Sequence, residues 1–265
     1  MLHSLFGDGV HFHNVAHRGY SANAPENTLA SFALAIGAGA NMLELDVMLT
    51  ADGQPIVFHD YRLGRTTNGS GLVSRLTSSH IRSLDAGIWF DDRFGGEKVP
   101  FLDEVLDLSK GKVRVNIELK HRRHDGIALL VEKCVKAVER HRMSDDVIFS
   151  SFNLKALRIL HGNKPHLRFA PLYRHNLVPT PRSFPLRYGA QGVVLNHHFL
   201  NSTAVRRFHN LGLNVFVYTV NGKRRIARMI EMGVDGVISD NPSDVASIAA
   251  GAPNLTFFSR SADRK

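Results

Sequence analysis

Leu43-Glu44-Leu45-Asp46-Val47 alternates aliphatic residues with acids, and this stretch decides the fold. Successive side chains of a strand point to opposite faces, so Glu44 and Asp46 share one face and Leu43, Leu45 and Val47 the other. Val115-Asn116-Ile117-Glu118-Leu119-Lys120 repeats the pattern, with Asn116, Glu118 and Lys120 on one face. Burying both aliphatic faces crowds Glu44, Asp46 and Glu118 into one interior. Carboxylates that repel one another and lose hydration either protonate or acquire a cation. Three of them suit a hard divalent cation, Mg2+ or Ca2+, with Mn2+ also possible. A further stretch, Val15-Ala16-His17-Arg18-Gly19, delivers a proton carrier and a guanidinium. Together the three stretches fit metal-assisted phosphoryl transfer.

Strand-like runs alternate with helix-like ones along the chain, which argues for a parallel sheet with helical crossovers. Runs at residues 15–19, 42–48, 114–120, 147–152, 167–173, 192–197, 214–220 and 236–240 make eight strands. Eight such strands imply an α/β fold, a closed (β/α)8 TIM barrel. The 265 residues suit one such domain, which typically needs about 250. Barrel sites lie at the C-terminal ends of strands, where His17, Glu44, Asp46 and Glu118 fall. The first helix should follow Pro25-Glu26-Asn27-Thr28, with Leu29, Phe32, Ala33 and Ile36 on one face; Glu26 and Asn27 are expected to cap it, or alternatively to support the site residues. Asn221 is the expected cap of a helix at residues 223–232.

Thr50-Ala51-Asp52-Gly53-Gln54 separates strand two from Pro55-Ile56-Val57-Phe58-His59. That gap is too short for a parallel crossover, so a hairpin is expected. Asp-Gly favours a two-residue type I′ turn, which would set Ala51 opposite Gln54 and Asp46 opposite His59. The Asp46 carboxylate would then raise the His59 pKa, with a bound cation opposing it. Residues from about 61 to 98, rich in Gly, Ser, Thr and Arg, read as an insertion above the catalytic end. Its Trp89, Phe90 and Phe94 could form an apolar lip over a substrate or the insertion's own core.

The formal net charge of +9 favours anionic partners: phosphate esters, nucleic acid or an anionic membrane surface. The basic residues are scattered in short clusters at 120–123, 140–142, 206–207 and 223–225. No basic stripe with interleaved aromatics appears, which argues against nucleic acid. No apolar run approaches the roughly 18 residues that span a bilayer, so no stable membrane insertion is expected. Residues 1–14 show no leader pattern, and His3, His11 and His13 there suggest no role. The single Cys134 excludes an internal disulfide and reads as a small buried hydrophobe. A cytoplasmic location is expected; the oligomeric state is not legible.

His17-Arg18-Gly19, Pro25-Glu26-Asn27-Thr28, Glu44-Leu45-Asp46-Val47, Phe58-His59-Asp60, Arg65-Thr66-Thr67 and Glu118-Leu119-Lys120 resemble the glycerophosphodiester phosphodiesterases. Ser151-Phe152, Tyr218-Thr219-Val220-Asn221 and Gly233-Val234-Asp235-Gly236 extend the resemblance over roughly residues 13–247. Each motif is weak alone; their order and spacing are specific. The resemblance implies a barrel, a divalent metal, and hydrolysis of glycerophosphodiesters to glycerol 3-phosphate and an alcohol. It looks more like the cytoplasmic bacterial members. Tyr218 departs from the tryptophan of many relatives but still offers an aromatic wall.

Residue roles follow, each with a plainer alternative. Glu44, Asp46 and Glu118 are the metal ligands, unless they are polar groups on half-buried strands. His17 and His59 are the general acid and base, since imidazole titrates near neutrality; either alone could be structural. Arg18 and Lys120 clamp phosphate, although Lys120 could simply pair with Glu118. Asn196, His197 and Tyr218 line the substrate pocket or are ordinary barrel interior. A lysophospholipase D would need an apolar groove for an acyl chain, which the lip from Trp89 to Phe94 and a long loop after Tyr173 with Pro179, Pro181 and Pro185 leave open. A non-catalytic phosphate- or lipid-head-group-binding barrel should lack a catalytic histidine or an acid of the triad, and this chain keeps them all.

Overall fold

The computed structural model describes residues 4–121, 126–175 and 183–252. Strand two of the sequence reading is β2, Met42–Leu49, and it carries the hairpin arm β3, Pro55–Val57. The remaining strands are β1 His13–His17, β4 Arg114–Leu119, β5 Val147–Ser151, β6 Arg168–Tyr173, β7 Gly192–Asn196, β8 Asn214–Tyr218 and β9 Gly236–Ser239. Setting β3 aside, eight strands pair in parallel, and β1 pairs with both β9 and β2, which closes the barrel. The crossovers carry α1 Leu29–Gly37, α3 Leu102–Ser109, α4 Ile127–Arg140, α5 Leu154–Asn163, α7 Ser202–Asn210 and α8 Lys223–Glu231. A short α2, Ser78–Ser83, lies in the insertion, α6 is Phe184–Arg187, and α9, Pro242–Ala250, follows β9. The expected (β/α)8 barrel is therefore the fold.

The period-two pattern settles which way each strand faces. Leu43, Leu45, Val47, Val115, Ile117 and Leu119 are buried in the layer between strands and helices. Their alternates Glu44, Asp46, Asn116 and Glu118 point into the barrel. Below the acids, Val15, Met42, Ala170, Val194, Phe216 and Ile238 fill the interior with aliphatic and aromatic volume. Leu5 and Phe6 close that end, and the Phe6 ring lies 3.9 Å below the Arg114 guanidinium and 5.0 Å from that of Arg168. The leader thus has a packing role that its composition did not reveal. His13 opens β1, buried and stacked on Phe216.

Several local expectations are corrected. β1 ends at His17 rather than residue 19, because Arg18 turns into left-handed backbone at φ 54°. The cap of α1 is Thr28, in a reciprocal box with Ser31, not Glu26 or Asn27. The buried face of α1 is Ser31, Phe32 and Ala35, while Ala33 is exposed. The cap residue of α8 is Gly222; Asn221 bonds instead to Ser239 and Asp240. Between β6 and β7, where a long proline-containing loop is expected, α6 forms with Pro185 in its first turn, while Pro179 and Pro181 lie outside the described residues. So do Arg122, Arg123 and the tail from residue 253.

The hairpin forms, but in another register. Val47 faces Val57 and Met48 faces Ile56, so Asp46 comes opposite Phe58, whose N–H donates to Asp46 O at 2.9 Å. The loop is Ala51-Asp52-Gly53, with Thr50 O accepting from Gly53 N and Gly53 at φ 72°. That is a three-residue loop closing on a left-handed glycine, the next most common hairpin connection. Asp52 takes no part in a type I′ pair; it accepts from Ser78 N and Ser78 Oγ and ties the loop to the insertion. Met48, Ile56 and Phe58 share one hairpin face and anchor the insertion's core with Leu63, Val73 and Ile81. Trp89, Phe90 and Phe94 stand apart from that core, packed edge-to-face on one another.

Candidate active site

Barrel closure sets the first geometry. His17 sits beside Glu44 across β1–β2, and Asp46 beside Glu118 across β2–β4. Side-by-side residues of parallel strands face the same way, so all four converge inside the C-terminal mouth. Glu44, Asp46 and Glu118 are buried, and one oxygen from each lies within 4.8 Å of the others.

Their charges are unevenly balanced. Burial would raise the Asp46 pKa, but the Lys120 and Arg18 charges outweigh it and hold the carboxyl below its usual range, helped by Asn27. Lys120 Nζ lies 3.3 Å from Asp46 Oδ1 and 3.4 Å from Glu118 Oε1, and Arg18 Nε lies 3.3 Å from Asp46 Oδ2. Glu44 is pushed well up by burial and by the charges of Asp46 and Glu118, and its one bond from Arg18 N–H, 3.0 Å, does not cancel this. Burial and Asp46 push Glu118 up to about 7 against the pull of Lys120. Two buried acids short of positive charge beside a third that is ionised is a donor set that a metal ion fits.

The turn between β1 and α1 places the cations. Arg18 and Asn27 are non-glycine residues at φ 54° and 58°, a conformation costing roughly 1–2 kcal/mol each. Both face an acid: Arg18 N donates to Glu44, and Asn27 Nδ2 donates to Asp46 Oδ2 at 2.9 Å. Hydrogen bonds to charged groups, worth roughly 1.5–3 kcal/mol, offset that cost. Gly19 between them sits at φ 84°, and a Cβ there would lie 2.3 Å from Ser31 Oγ and 2.7 Å from the Ser31 carbonyl carbon. We expect Gly19→Ala to push the first turn of α1 away and carry Arg18 with it. The expected cost is roughly 2–4 kcal/mol from backbone strain plus overpacking, with a parallel loss of turnover. Urea unfolding of the variant within about 0.5 kcal/mol of the parent, the range of neutral surface changes, would contradict this.

Each histidine is held by an acid. His17 Nδ1 lies 2.6 Å from Asp240 Oδ1, and Ser21 Oγ donates to the same oxygen at 3.1 Å. Asp240 is partly buried, yet hydrogen bonds and charge from His17, with Asn221 and Ser21, hold it down at about 2. An ionised carboxylate only accepts, so His17 carries its proton on Nδ1 and presents Nε2 to the site. His59 Nδ1 lies 2.5 Å from Asp60 Oδ1. His59 enters the mouth because β3 ends at Val57 and the chain leaves the sheet, not through the expected pairing with Asp46. Its pKa is lowered rather than raised: burial together with the Arg18 and Lys120 charges outweighs Asp46 and Asp60. Asp60 in turn accepts from Arg65 Nε, and Arg65 grips Glu26, which accepts from Arg18 Nη1 at 2.8 Å. The holding roles of Asp240 and Asp60 are not legible in the sequence, whereas Glu26, expected either to cap α1 or to support the site residues, bonds to Arg18.

A cavity of about 1110 Å³ opens here, lined by His59, Glu118, Lys120, Phe152, Arg65 and Arg174 among others, but not by Trp89, Phe90 or Phe94. Tyr218 stands behind Phe152, ring edge to face, and its hydroxyl donates to Tyr173 O at 3.1 Å. Asn196 Oδ1 turns back to accept from His198 N, and His197 Nδ1 lies 3.2 Å from Tyr218 O. The structure thus brings His17, Arg18, Glu44, Asp46, His59, Glu118 and Lys120 together, while Asn196 is engaged with its own loop and His197 with the end of β8. Among the described residues no helix is long and apolar enough to cross a membrane.

A barrel with this mouth defines a phosphodiesterase class, and the relatives agree. The family described as glycerophosphoryl diester phosphodiesterase matches residues 17–244. A glycerophosphodiester phosphodiesterase from Caldanaerobacter subterraneus subsp. tengcongensis is 41% identical over 238 residues, covering 88% of this chain and 96% of that protein. The solved Oleispira antarctica phosphodiesterase, in complex with the product sn-glycerol-3-phosphate, aligns with a TM-score of 0.84 at 30% identity over 89% of this chain and 96% of that one. The glycerophosphodiester phosphodiesterase of Agrobacterium tumefaciens aligns with a TM-score of 0.76 at 33% identity over 88% and 98%. The chain belongs to the glycerophosphoryl diester phosphodiesterase family.

Proposed function

We propose that this enzyme hydrolyses glycerophosphodiesters to glycerol 3-phosphate and an alcohol with one divalent metal ion, Mg2+ or Ca2+, and Mn2+ as a further candidate. The observation that carries the reading is the convergence of three buried carboxylates with Arg18 and Lys120, between two acid-held imidazoles. Glu44, Asp46 and Glu118 would hold the ion. When bound, it supplies charge neutralisation at a phosphate oxygen and a template for the nucleophile. Arg18 offers a planar fork and Lys120 a point charge to the remaining phosphate oxygens. One imidazole takes the proton of the attacking hydroxyl, from water or from the substrate's own glycerol. The other gives a proton to the departing alkoxide, so the two transfers balance. A cytoplasmic location fits a chain whose one cysteine is buried, with burial pushing its thiol up.

A second reading, action on lysophospholipids, gains support from a groove of about 930 Å³ that shares Tyr61, Lys120 and His121 with the catalytic cavity. Leu49, Leu72, Val73 and Leu129 give it an aliphatic wall, and Leu129 is 41% exposed. One panel tests both: glycerophosphocholine, glycerophosphoethanolamine and lysophosphatidylcholines of rising chain length, each with Mg2+, Ca2+ or Mn2+ after chelation. Release of glycerol 3-phosphate only with metal is the expected result. Release of lysophosphatidic acid with a KM that falls with chain length would favour the second reading. No hydrolysis of any diester would overturn both.

A further inference from the structure

We propose that Arg65 is the positioning residue that sets both His59 and Arg18; this rests on the roles just given to those two. Arg65 comes from the insertion, five residues after Asp60, and its three nitrogens each find an acid. Nε donates to Asp60 Oδ2 at 2.6 Å, Nη1 to Glu26 Oε2 at 2.8 Å and Nη2 to Glu26 Oε1 at 2.7 Å. Each acid holds one working group with its oxygens. Asp60 Oδ1 meets His59 Nδ1 at 2.5 Å, and Glu26 Oε1 accepts from Arg18 Nη1 at 2.8 Å. Arg18 then reaches Asp46. A single planar fork therefore joins a proton carrier, a phosphate-side guanidinium and a carboxylate of the triad in one chain of contacts.

Three features separate this from simple bracing of the insertion. The insertion has its own ties: Asp52 to Ser78, Arg82 to Glu104, Asn68 to Asp85, and the core around Ile81 and Phe58. None of Arg65's nitrogen contacts serves that core. The geometry also needs a guanidinium, because one ammonium nitrogen cannot lie within 2.6–2.8 Å of Asp60 and of both Glu26 oxygens at once, as the three nitrogens of the fork do. Finally, Asp60 is the neighbour of His59 in sequence, beyond the end of β3, so its carboxylate needs a hold from outside the sheet to keep one orientation. Arg65 Nε supplies it, which fixes the hydrogen on His59 Nδ1 and leaves Nε2 for chemistry.

The test compares the full-length parent with Arg65→Lys, Arg65→Ala, Asp60→Asn and Glu26→Gln on glycerophosphocholine at saturating Mg2+. A misplacement of about 1 Å at a reacting group costs on the order of 10²-fold, so kcat of Arg65→Ala should fall roughly 10–100-fold with KM within about twofold. Arg65→Lys should be no better despite its charge, while added methylguanidinium should restore part of the Arg65→Ala rate. In 15N-histidine spectra without substrate, the His59 Nδ1–H signal of the parent should broaden or vanish in both Arg65 variants. Unchanged kcat, or a rise in KM alone, which would make Arg65 a substrate contact, overturns the proposal. So does an unaltered His59 signal. Should the parent cleave no glycerophosphodiester, the proposed activity fails, and the His59 signal still decides the role of Arg65. If Arg65→Ala does not fold, Arg65→Lys carries the same readouts.

Discussion

Glu118→Gln should lower turnover by about three orders of magnitude and, in the presence of a chelator, make the protein more stable at neutral pH. Both effects come from the same crowding. Lewis-acid stabilisation is worth several kcal/mol, and each 1.4 kcal/mol is tenfold, so losing a ligand should cost roughly 10³-fold in kcat. The stability effect follows from proton linkage. Glu118 stands at about 7 in the fold against an ordinary 4.5, from burial and the Asp46 charge, and Glu44 is raised for the same reasons. A raised acid binds more protons folded than unfolded, so its contribution is present below 4.5 and is lost as pH climbs through about 7. Asp46 is lowered, so its contribution is lost only as pH falls below its ordinary 3.8, outside that window. The lowered His59 and the buried His13, held down at about 3, pull the other way below 6.5. They act in parent and variant alike, so the Tm advantage of Glu118→Gln over the chelated parent should grow between about pH 5 and 7, because the variant has no charge to bury there. Added Mg2+ takes the place of the protons, so its stabilisation of the parent should grow over the same range and largely disappear in the variant. Calorimetry with and without chelator checks each part. A Tm difference between Glu118→Gln and the chelated parent that stays flat or shrinks across the window, or full activity after exhaustive chelation, would sink the argument.

The acids were legible because a strand's period is two. Glu44, Asp46 and Glu118 needed only their own neighbours to be assigned one face, and the eight strand runs then placed that face inside a barrel. Whatever depended on closure was not legible. Asp240 sits 223 residues from His17, and no spacing announces the pair until β9 lies against β1. The hairpin register failed for a narrower reason: Asp-Gly serves both a two-residue turn and a three-residue loop ending on glycine, and the dipeptide does not choose between them. Here Asp52 is drawn off by Ser78. Asn27 reads first as a cap because asparagine usually is one next to a helix, with support of a site residue as the alternative; its left-handed backbone aims the amide at Asp46, which is that alternative. For His59, the sequence suggested one carboxylate neighbour and hid the two cations and the burial that decide the direction of its shift.

His17→Ala and His59→Ala should each lower kcat by about 10²–10⁴-fold, the usual worth of a positioned acid or base. Neither change should unfold the protein. The side chains are 19% and 30% exposed, and each makes its main polar contact with a single carboxylate that keeps other donors. Asp240 retains Ser21 and Asn221, and Asp60 retains Arg65. If the two imidazoles serve the same step, the double variant should be little slower than the worse single one, because the second has nothing left to assist. If attack and departure are separate steps, as with a cyclic phosphate formed by the glycerol hydroxyl, one variant should accumulate that intermediate and the other should not. Asp240→Asn separates holding from proton transfer. Its amide can present N–H to His17 Nδ1 and favour the other tautomer, turning the proton onto the nitrogen that faces the site. Its kcat should therefore fall between the parent and His17→Ala with KM nearly unchanged. Single-turnover kinetics with phosphorus NMR would follow both diester loss and any cyclic product. Near-parental turnover in His17→Ala or His59→Ala would remove that residue from the mechanism, and an Asp240→Asn variant slower than His17→Ala would mean that Asp240 does more than hold the ring.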